Sequence, residues 1–353
     1  MKAGVQYCAG MDPEAIIEAG FSYIEYPAQD IESAQGNQKS LSGIEAALKG
    51  LNGEQFFALL QQAEQTEANY IVLQTAGCSD DGEFLRLIEE CSMAVADFPG
   101  EIYIENGYLG SDADGYLNGW VSDVKRLKRL CQYGNDLTGR EMFGVCLNIG
   151  YANLLERNIR VMIGYLGSDL KLVHVNDNDG RRNLRQMPYT FTTGRGKQST
   201  DWNRILGALI KLNFDGWLIF DTVGLFTRTP GRLHPAMLEL LYAVKQKWEE
   251  QFHYEDILNQ PDKKIILFGA GAMAYNYMQV WGKKYPPAFI VDNYDKRWGT
   301  KLEGIEVKKP DAILEVPAQE RLVLICNMFY NEMKKQLSAM GVEYQFYCDE
   351  YYM

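Results

Sequence analysis

Short apolar or β-branched segments alternate with amphipathic ones from about residue 3 to residue 250, and this rhythm constrains the fold most strongly. Such alternation is typical of repeated strand–helix units, which build a parallel sheet covered by helices. Units repeated over this length predict a (β/α)8 TIM barrel. Seven segments have the pattern of strands: Ala3–Tyr7, Tyr23–Tyr26, Tyr70–Gln74, Glu101–Glu105, Phe143–Asn148, Leu170–Val175 and Trp217–Asp221. We expect the eighth in the weaker segment Leu41–Leu51.

An open, doubly wound parallel sheet is the alternative architecture for the same rhythm. Such sheets commonly carry a glycine-rich phosphate loop after a strand, and this part of the sequence has none. The sequence therefore favours the barrel, in a first domain of residues 1–255. A polar segment that ends near Pro261 separates it from a second domain of residues 262–353.

Composition limits the classes of function that need to be considered. The chain has 353 residues, too many for one ordinary domain, and its formal net charge of −12 argues against nucleic-acid binding. No segment resembles a signal peptide or a membrane helix. Because seven cysteines include no C-x-x-C pair, we expect reduced thiols in a cytoplasmic protein. Homo-oligomerisation is left open.

The segment Lys171–Gly180, with the sequence KLVHVNDNDG, is the strongest functional candidate. An apolar run surrounds His174 and ends abruptly in the polar residues Asn176 and Asp177. In a parallel barrel, the carboxyl ends of the strands carry the chemistry. We therefore expect His174 to act as a ligand or as an acid or base. A buried histidine that is bonded to a backbone carbonyl is the alternative.

Polar side chains end the other strands as well. Buried charges cost several kcal/mol unless they are paired or bound to a cation. If Glu105, His174 and Asp221 meet at one rim, they suit a divalent metal, with Asn148 as a neutral oxygen donor. A hydrogen-bonded polar cluster without an ion is the alternative.

Five motifs give the first domain a resemblance to the xylose isomerase-like TIM barrels, a superfamily of sugar-phosphate isomerases and epimerases. They are IYIEN at Ile102–Asn106, GVCLNIGYANL at Gly144–Leu154, HVNDNDG at His174–Gly180, TGRGKQSTDW at Thr193–Trp202 and FDGWLIFD at Phe214–Asp221. The resemblance implies Mn or Mg bound by Glu105, Asn148, His174 and Asp221. It implies that Glu105 and Asp221 move a proton on a small sugar. It also implies sugar-binding roles for Gln74, Tyr151, Asn176, Asp177 and Arg195.

Several positions depart from the pattern of that superfamily. Asn148 replaces an Asp and removes an anionic ligand, and Asp221 is one methylene shorter than the usual Glu. Tyr151 and Gln74 stand where many relatives have histidines. We therefore expect a sugar isomerase or epimerase with an altered metal site. A repurposed barrel that binds a sugar without metal is the alternative.

The second domain begins with a strand that runs into a G-x-G-x-x-A loop, with Gly269 and Gly271, and then a helix. Asp292 ends the next strand, 21 positions after Gly271. This order predicts a small Rossmann-like α/β domain with a parallel sheet, in which the loop approaches a phosphate and the acid binds a ribose. A glycine turn needed only for helix–strand packing is the alternative.

The motifs FGAG, IVDN, WG and GIEV between Phe268 and Val307 resemble the small Rossmann-type domain found beside sugar-modifying enzymes. One example is the N-terminal part of bacterial nucleotide-sugar acetyltransferases. The resemblance implies a nucleotide or nucleotide-sugar ligand at Gly269, Gly271 and Asp292. A role in modifying polysaccharide sugars would unite the two domains.

Overall fold

The computed structural model describes residues 2–34, 40–112, 115–191 and 200–347. The chain divides into two compact units, Met1–Trp248 and Glu249–Met353. The domain boundaries predicted from the sequence, 1–255 and 262–353, stay a prediction. Within the described residues, every helix is too short or too polar to cross a membrane.

Eight parallel strands close the first unit into a barrel, which confirms the architecture predicted from the alternation. The weak segment after Leu41 supplies the eighth strand. The strands of this unit are β1 Lys2–Gln6, β2 Tyr23–Pro27, β3 Leu41–Ala47, β4 Tyr70–Gln74, β5 Glu101–Glu105, β6 Gly110–Asp112, β7 Gly115–Leu117, β8 Phe143–Asn148, β9 Leu170–Val175 and β10 Trp217–Phe220. β6 and β7 form a separate antiparallel pair, and the other eight make the barrel.

Helices connect successive barrel strands, and their ends follow local sequence signals. Asp12 accepts a hydrogen bond from the Glu14 N–H, and Pro13 occupies the first turn of the first helix. Asn52 and Gln55 form a reciprocal capping box at the second. The helices are α1 Pro13–Glu18, α2 Gly53–Gln65, α3 Gly82–Glu90, α4 Ser92–Asp97, α5 Val124–Thr138, α6 Ile149–Leu154, α7 Ile159–Leu166, α8 Trp202–Lys211, α9 Val223–Phe226 and α10 His234–Phe252.

Aromatic side chains fill part of the barrel interior. The Tyr70 ring lies 5.1 Å from the rings of both Tyr103 and Trp217, and all three residues are buried. Val72, Cys146, Leu172 and Ile219 complete this cluster. The Tyr70 hydroxyl donates a hydrogen bond to Glu25, so the apolar layer directly adjoins polar side chains inside the barrel.

The second unit contains a six-stranded sheet in the order β13-β14-β12-β11-β15-β16. Its elements are α11 Tyr254–Leu258, β11 Lys264–Phe268, α12 Ala272–Val280, β12 Phe289–Val291, β13 Lys301–Leu302, β14 Ile305–Lys308, β15 Arg321–Ile325, α13 Tyr330–Ala339 and β16 Gln345–Phe346. The sheet is mixed rather than fully parallel as predicted, because β13 and β14 are antiparallel. Glu303 and Gly304 join them, both with positive φ, as a tight hairpin turn requires.

Candidate functional site

Polar side chains lie in or directly after all eight barrel strands, towards the carboxyl end of each. These residues, which we call the polar ring, are Gln6, Glu25, Glu45, Gln74, Glu105, Asn148, His174 and, directly after β10, Asp221. Seven of them are buried, and Gln74 is half-buried. The neighbouring strands are in register here: Gln6 pairs with Glu25 and Asn148 pairs with His174. The ring lies at the carboxyl ends of the strands, where barrels place their sites.

His174 lies between two carboxylates and is fully buried. Its Nδ1 is 2.6 Å from Oε1 of Glu105, and its Nε2 is 2.9 Å from Oε1 of Glu25. Burial by itself lowers the pKa of His174, but the neighbouring Cys146, followed by Glu25 and Glu105, outweighs this effect and holds the pKa well above its usual range. His174 is therefore a double donor to carboxylates, rather than a histidine bonded to a backbone carbonyl.

Glu45 is a carboxyl group of the ring whose pKa is raised far above its ordinary value. The amides of Gln6 and Gln74 each approach one of its oxygens at 2.5 Å. Burial, followed by the nearby Glu105 charge, raises the pKa of Glu45 to about 8. Glu45 therefore keeps its proton at neutral pH.

Two amides connect Glu105 to Asp221 across the barrel. Nδ2 of Asn148 donates to Oε1 of Glu105 at 2.9 Å. Nδ2 of Asn176 lies 3.0 Å from Oδ1 of Asn148 and 3.0 Å from Oδ2 of Asp221. The structure thus brings the two predicted catalytic carboxylates into one hydrogen-bonded network.

Arg185 completes this network on the opposite side. Its guanidinium forms an ion pair with Asp221, and Nη2 donates to Oε1 of Gln6 at 2.5 Å. Gln6 in turn donates to Glu25 at 3.1 Å, and Glu25 contacts His174. The contacts therefore form a closed circuit, which passes from Glu25 through His174 back to Glu105.

The other predicted substrate residues have different surroundings. Gln74 binds Glu45, and the Tyr151 N–H donates to Oδ1 of Asn148 at 3.1 Å. Asp177 anchors the loop that follows β9, since its carboxylate accepts from the N–H of Phe191 and from the indole of Trp202. Asp177 is therefore outside the circuit. Arg195 lies outside the described residues.

Sequence reasoning assigned no role to four members of the site: Gln6, Glu25, Glu45 and Arg185. Glu25 and Gln6 end predicted strands, so the strand-end rule was enough to find them. Glu45 lies in the one strand whose pattern was weak. Arg185 is in a loop, eleven positions after His174, and no spacing rule connects the two.

The residues that the resemblance assigns to a metal have hydrogen-bonding or ionic partners within the protein. Both ring nitrogens of His174 already have carboxylate partners, and they lie on opposite sides of the imidazole. The Asn148 oxygen accepts from Tyr151 and Asn176, and Asp221 is paired with Arg185. The four-residue ligand set therefore stays a prediction.

Two other groups bring potential ligand atoms within 4.8 Å of one another: Glu105, Cys146 and His174, and Glu25, Glu45 and His174. Burial raises the pKa of the Cys146 thiol, so it is a poor thiolate ligand. In the second group, Glu25 contacts Nε2 of His174 whereas Glu45 approaches Nδ1, at 3.8 Å. Neither group includes Asp221.

The glycine loop of the second unit has one structural glycine and one that packing does not require. Gly269 has a φ of +111°, and an added Cβ would lie 2.6 Å from the Cys326 carbonyl oxygen. An added Cβ at Gly271 would meet no heavy atom within 4 Å. The carboxylate of Asp292 accepts from the N–H groups of Ala270 and Tyr294, at 2.7 and 2.8 Å. Asp292 therefore holds the loop itself.

Comparison with solved structures gives similar folds at low sequence identity. A D-tagatose 3-epimerase-like protein has a TM-score of 0.52 and 14% identity, over 72% of this chain and 100% of its own. A xylose isomerase domain protein from Alicyclobacillus acidocaldarius subsp. acidocaldarius has a TM-score of 0.52 and 13% identity, over 71% of this chain and 99% of its own.

Sequence comparison adds one match in the second unit. The family model described as "C2185-like, N-terminal" matches residues 261–345. No curated protein matches the chain. By structure, the chain is similar to xylose isomerase-like proteins and epimerase-like proteins, and it shares the eight-strand parallel barrel fold.

Proposed function

We propose that the barrel binds a small neutral sugar at the polar ring and moves a proton on a carbon next to its carbonyl group, as isomerases and epimerases do. The observation that carries the proposal is the closed circuit of polar side chains, to which the barrel strands deliver carboxylates, amides and an imidazole. The names of the similar solved structures, an epimerase-like protein and a xylose isomerase domain protein, agree with this class of reaction.

Unpaired polar atoms support a ligand rich in hydroxyl groups. Among the described residues, Oε2 of Glu105, Oδ1 of Asn176 and Nε of Arg185 are buried without a hydrogen-bonding partner in the protein. The neighbouring segments add Oδ1 of Asn183 and Oγ1 of Thr222. Leaving buried polar atoms unpaired costs about 1–3 kcal/mol each, so a ligand that pairs with them gains affinity.

The charges of the site favour a neutral sugar over a sugar phosphate. Four carboxyl groups, those of Glu25, Glu45, Glu105 and Asp221, share the ring with the imidazole of His174 and the guanidinium of Arg185. Since Glu45 keeps its proton, the three carboxylates of Glu25, Glu105 and Asp221 still outnumber the two cationic groups. An added phosphate would increase the excess of negative charge in a buried site.

Glu105 is the better placed base. Its Oε1 is held by His174 and Asn148, which fixes the carboxylate, while Oε2 has no partner in the protein. In the proposed step, Oε2 takes the proton from the carbon, the C–H electron pair forms the enediolate double bond, and the carbonyl oxygen becomes an oxyanion. Isomerisation follows when the proton returns to the former carbonyl carbon and the hydroxyl proton on the deprotonated carbon passes to the oxyanion, which leaves the carbonyl on that carbon. Epimerisation follows when the original carbonyl re-forms and the deprotonated carbon takes a solvent-derived proton on its opposite face.

Solvent-deuterium exchange tests the proposal. The whole chain is incubated in D₂O with a panel of neutral ketoses and aldoses and with their phosphates, and carbon-bound deuterium is measured by NMR. We expect exchange into at least one neutral sugar. In Glu105→Gln, the exchange rate should fall by at least about 100-fold. Glu101→Gln, at the opposite end of β5, is the matched control and should exchange normally.

A sugar-binding barrel without catalysis is distinguished by the same panel. Calorimetric binding of a neutral sugar without deuterium exchange would favour that alternative. Absence of both binding and exchange across the panel would contradict the proposal.

We also propose that the second unit binds a nucleotide or nucleotide-sugar beside Gly271. The open space at Gly271 supports this, because packing does not require a glycine there. Exposed aromatic side chains follow the neighbouring parallel strands, among them Tyr294 and Trp298 after β12 and Phe329 after β15. Exposed rings of this kind can stack on a base.

A further inference from the structure

We propose that Arg185 is the resident cation of the polar ring, in the role that a divalent metal has in the enzymes that the sequence resembles. The proposal deepens the proposed function, because it names the group that offsets negative charge in the same site. The proposal also states that the Arg185 guanidinium and a metal ion compete for Asp221. This competition does not require that the protein turns over a sugar.

The loop after β9 holds Arg185 in a fixed position. The backbone of Asp177 pairs with that of Gln186 through two hydrogen bonds of 2.8 and 2.9 Å. Arg185 itself has a positive φ of 47°, which is uncommon for an arginine and redirects the chain. The carbonyl of Leu184 lies against Gly224, where an added Cβ would be 1.8 Å away. The loop therefore has little freedom to withdraw the side chain.

The guanidinium satisfies the carboxylate that a metal would need. Asp221 has no exposed surface and pairs with Arg185, whose side chain is 22% exposed. A buried carboxylate without a cation would be costly, so Asp221 needs a positive partner. An ion that bound Asp221 would have to displace Arg185 or lie beside a like charge. Among the described residues of the circuit, the other cationic group is His174, which binds Glu25 and Glu105 instead.

Arg185 retains a donor for a ligand. Nη2 donates to Gln6, but Nε is buried and has no partner in the protein. When Glu105 removes a proton from the sugar, an oxyanion develops on the former carbonyl oxygen. A guanidinium N–H can donate a hydrogen bond to that oxygen, so the negative charge on the oxygen is stabilised without a metal. Arg185 therefore supplies the charge that makes proton removal feasible.

Thermal unfolding with Mn²⁺ and with EDTA tests this assignment on the whole chain. The variants are Arg185→Ala, the double variant with Asp221→Asn, and Arg182→Ala. Arg182 is the matched control, since it lies in the same loop, is 71% exposed and pairs with Asp179. We expect neither reagent to shift the midpoint of wild type or Arg182→Ala. We expect Mn²⁺ to raise the midpoint of Arg185→Ala, and the rise to disappear in the double variant.

An equal response of wild type and Arg185→Ala to Mn²⁺, including no response in either, would overturn the proposal, because the ion and the guanidinium would then not compete. If Arg185→Ala does not fold, metal analysis of purified wild type decides: a stoichiometric divalent ion overturns the proposal and its absence supports it. In a sugar that exchanges, Arg185→Lys should lower kcat more than it changes KM. Failure of the proposed sugar chemistry would leave the Mn²⁺ result unaffected.

Discussion

At the scale of single residues, Glu45 makes the stability of the barrel depend on pH. Its pKa is raised from 4.5 to about 8 by burial and by Glu105, so the folded state binds a proton that the unfolded state releases above pH 4.5. The contribution of this proton to the free energy of unfolding is therefore fully present below about pH 4.5 and is lost as the pH rises through about 8. We expect a slope of at most about 1.4 kcal/mol per pH unit in this window.

Urea unfolding between pH 5 and pH 8 measures this slope. Glu45→Gln keeps the shape and hydrogen-bonding capacity of the side chain but cannot titrate, so its free energy of unfolding should fall less over the same range. Equal slopes for wild type and Glu45→Gln would show that Glu45 is ionised in the folded protein.

Site residues at the ends of strands could be predicted from the sequence, whereas a site residue in a loop could not. Glu105, Asn148, His174 and Asp221 end clearly patterned strands, so the sequence indicated their common rim. The direct contact of Glu105 with His174 depends on side-chain packing and could not be predicted. Arg185 was given no role, because a loop conformation rather than a strand brings it to Asp221.

At the scale of elements, α9 positions the loop that carries Arg185. Gly224 in α9 allows the Leu184 carbonyl to approach, and an alanine Cβ would lie 1.8 Å from that oxygen. We expect Gly224→Ala to displace the loop and to lower the free energy of unfolding by about 1–3 kcal/mol. Sugar affinity should fall as well.

Gly164→Ala in α7 is the control for this substitution. An added Cβ there meets no heavy atom within 4 Å, so the change should stabilise the helix by about 0.5–1 kcal/mol. Chemical denaturation of both variants gives the comparison. A Gly224→Ala protein as stable as Gly164→Ala would contradict the assigned close approach.

Strand elements were predictable because each has an apolar core and a polar end. The eighth strand, Leu41–Ala47, contains glycine and glutamate, so its pattern was weak, yet closure of the barrel requires it. In the second unit, the hairpin at Glu303 and Gly304 was missed because only Gly304 carries a turn signal. Tertiary context decided both cases.

At the scale of the whole molecule, the two units have separate sites in this account. We expect Gly271→Val to abolish the thermal shift that uridine diphosphate sugars produce in wild type, because the branched side chain would fill the open space beside the loop. The unfolding midpoint without ligand should stay close to that of wild type. An unchanged shift in Gly271→Val would contradict binding at this loop.

The division into a barrel and a smaller α/β unit could be predicted from the rhythm of the whole sequence. The fine structure of the second unit could not, since an antiparallel edge pair of two and four residues has no periodic signature. The chemistry of the polar ring likewise depends on the balance of charges contributed by eight strands and one loop. No single sequence motif contains all of these residues, so this balance could not be predicted.

Deuterium exchange by the whole chain in the presence of EDTA tests the central claim most directly, namely that Glu105 and Arg185 of the polar ring act on a sugar. We expect carbon-bound deuterium to appear in a neutral sugar at the same rate with and without EDTA, and to disappear in Glu105→Gln. Exchange that stops in EDTA and returns with Mn²⁺, or that persists in Glu105→Gln, would contradict the account.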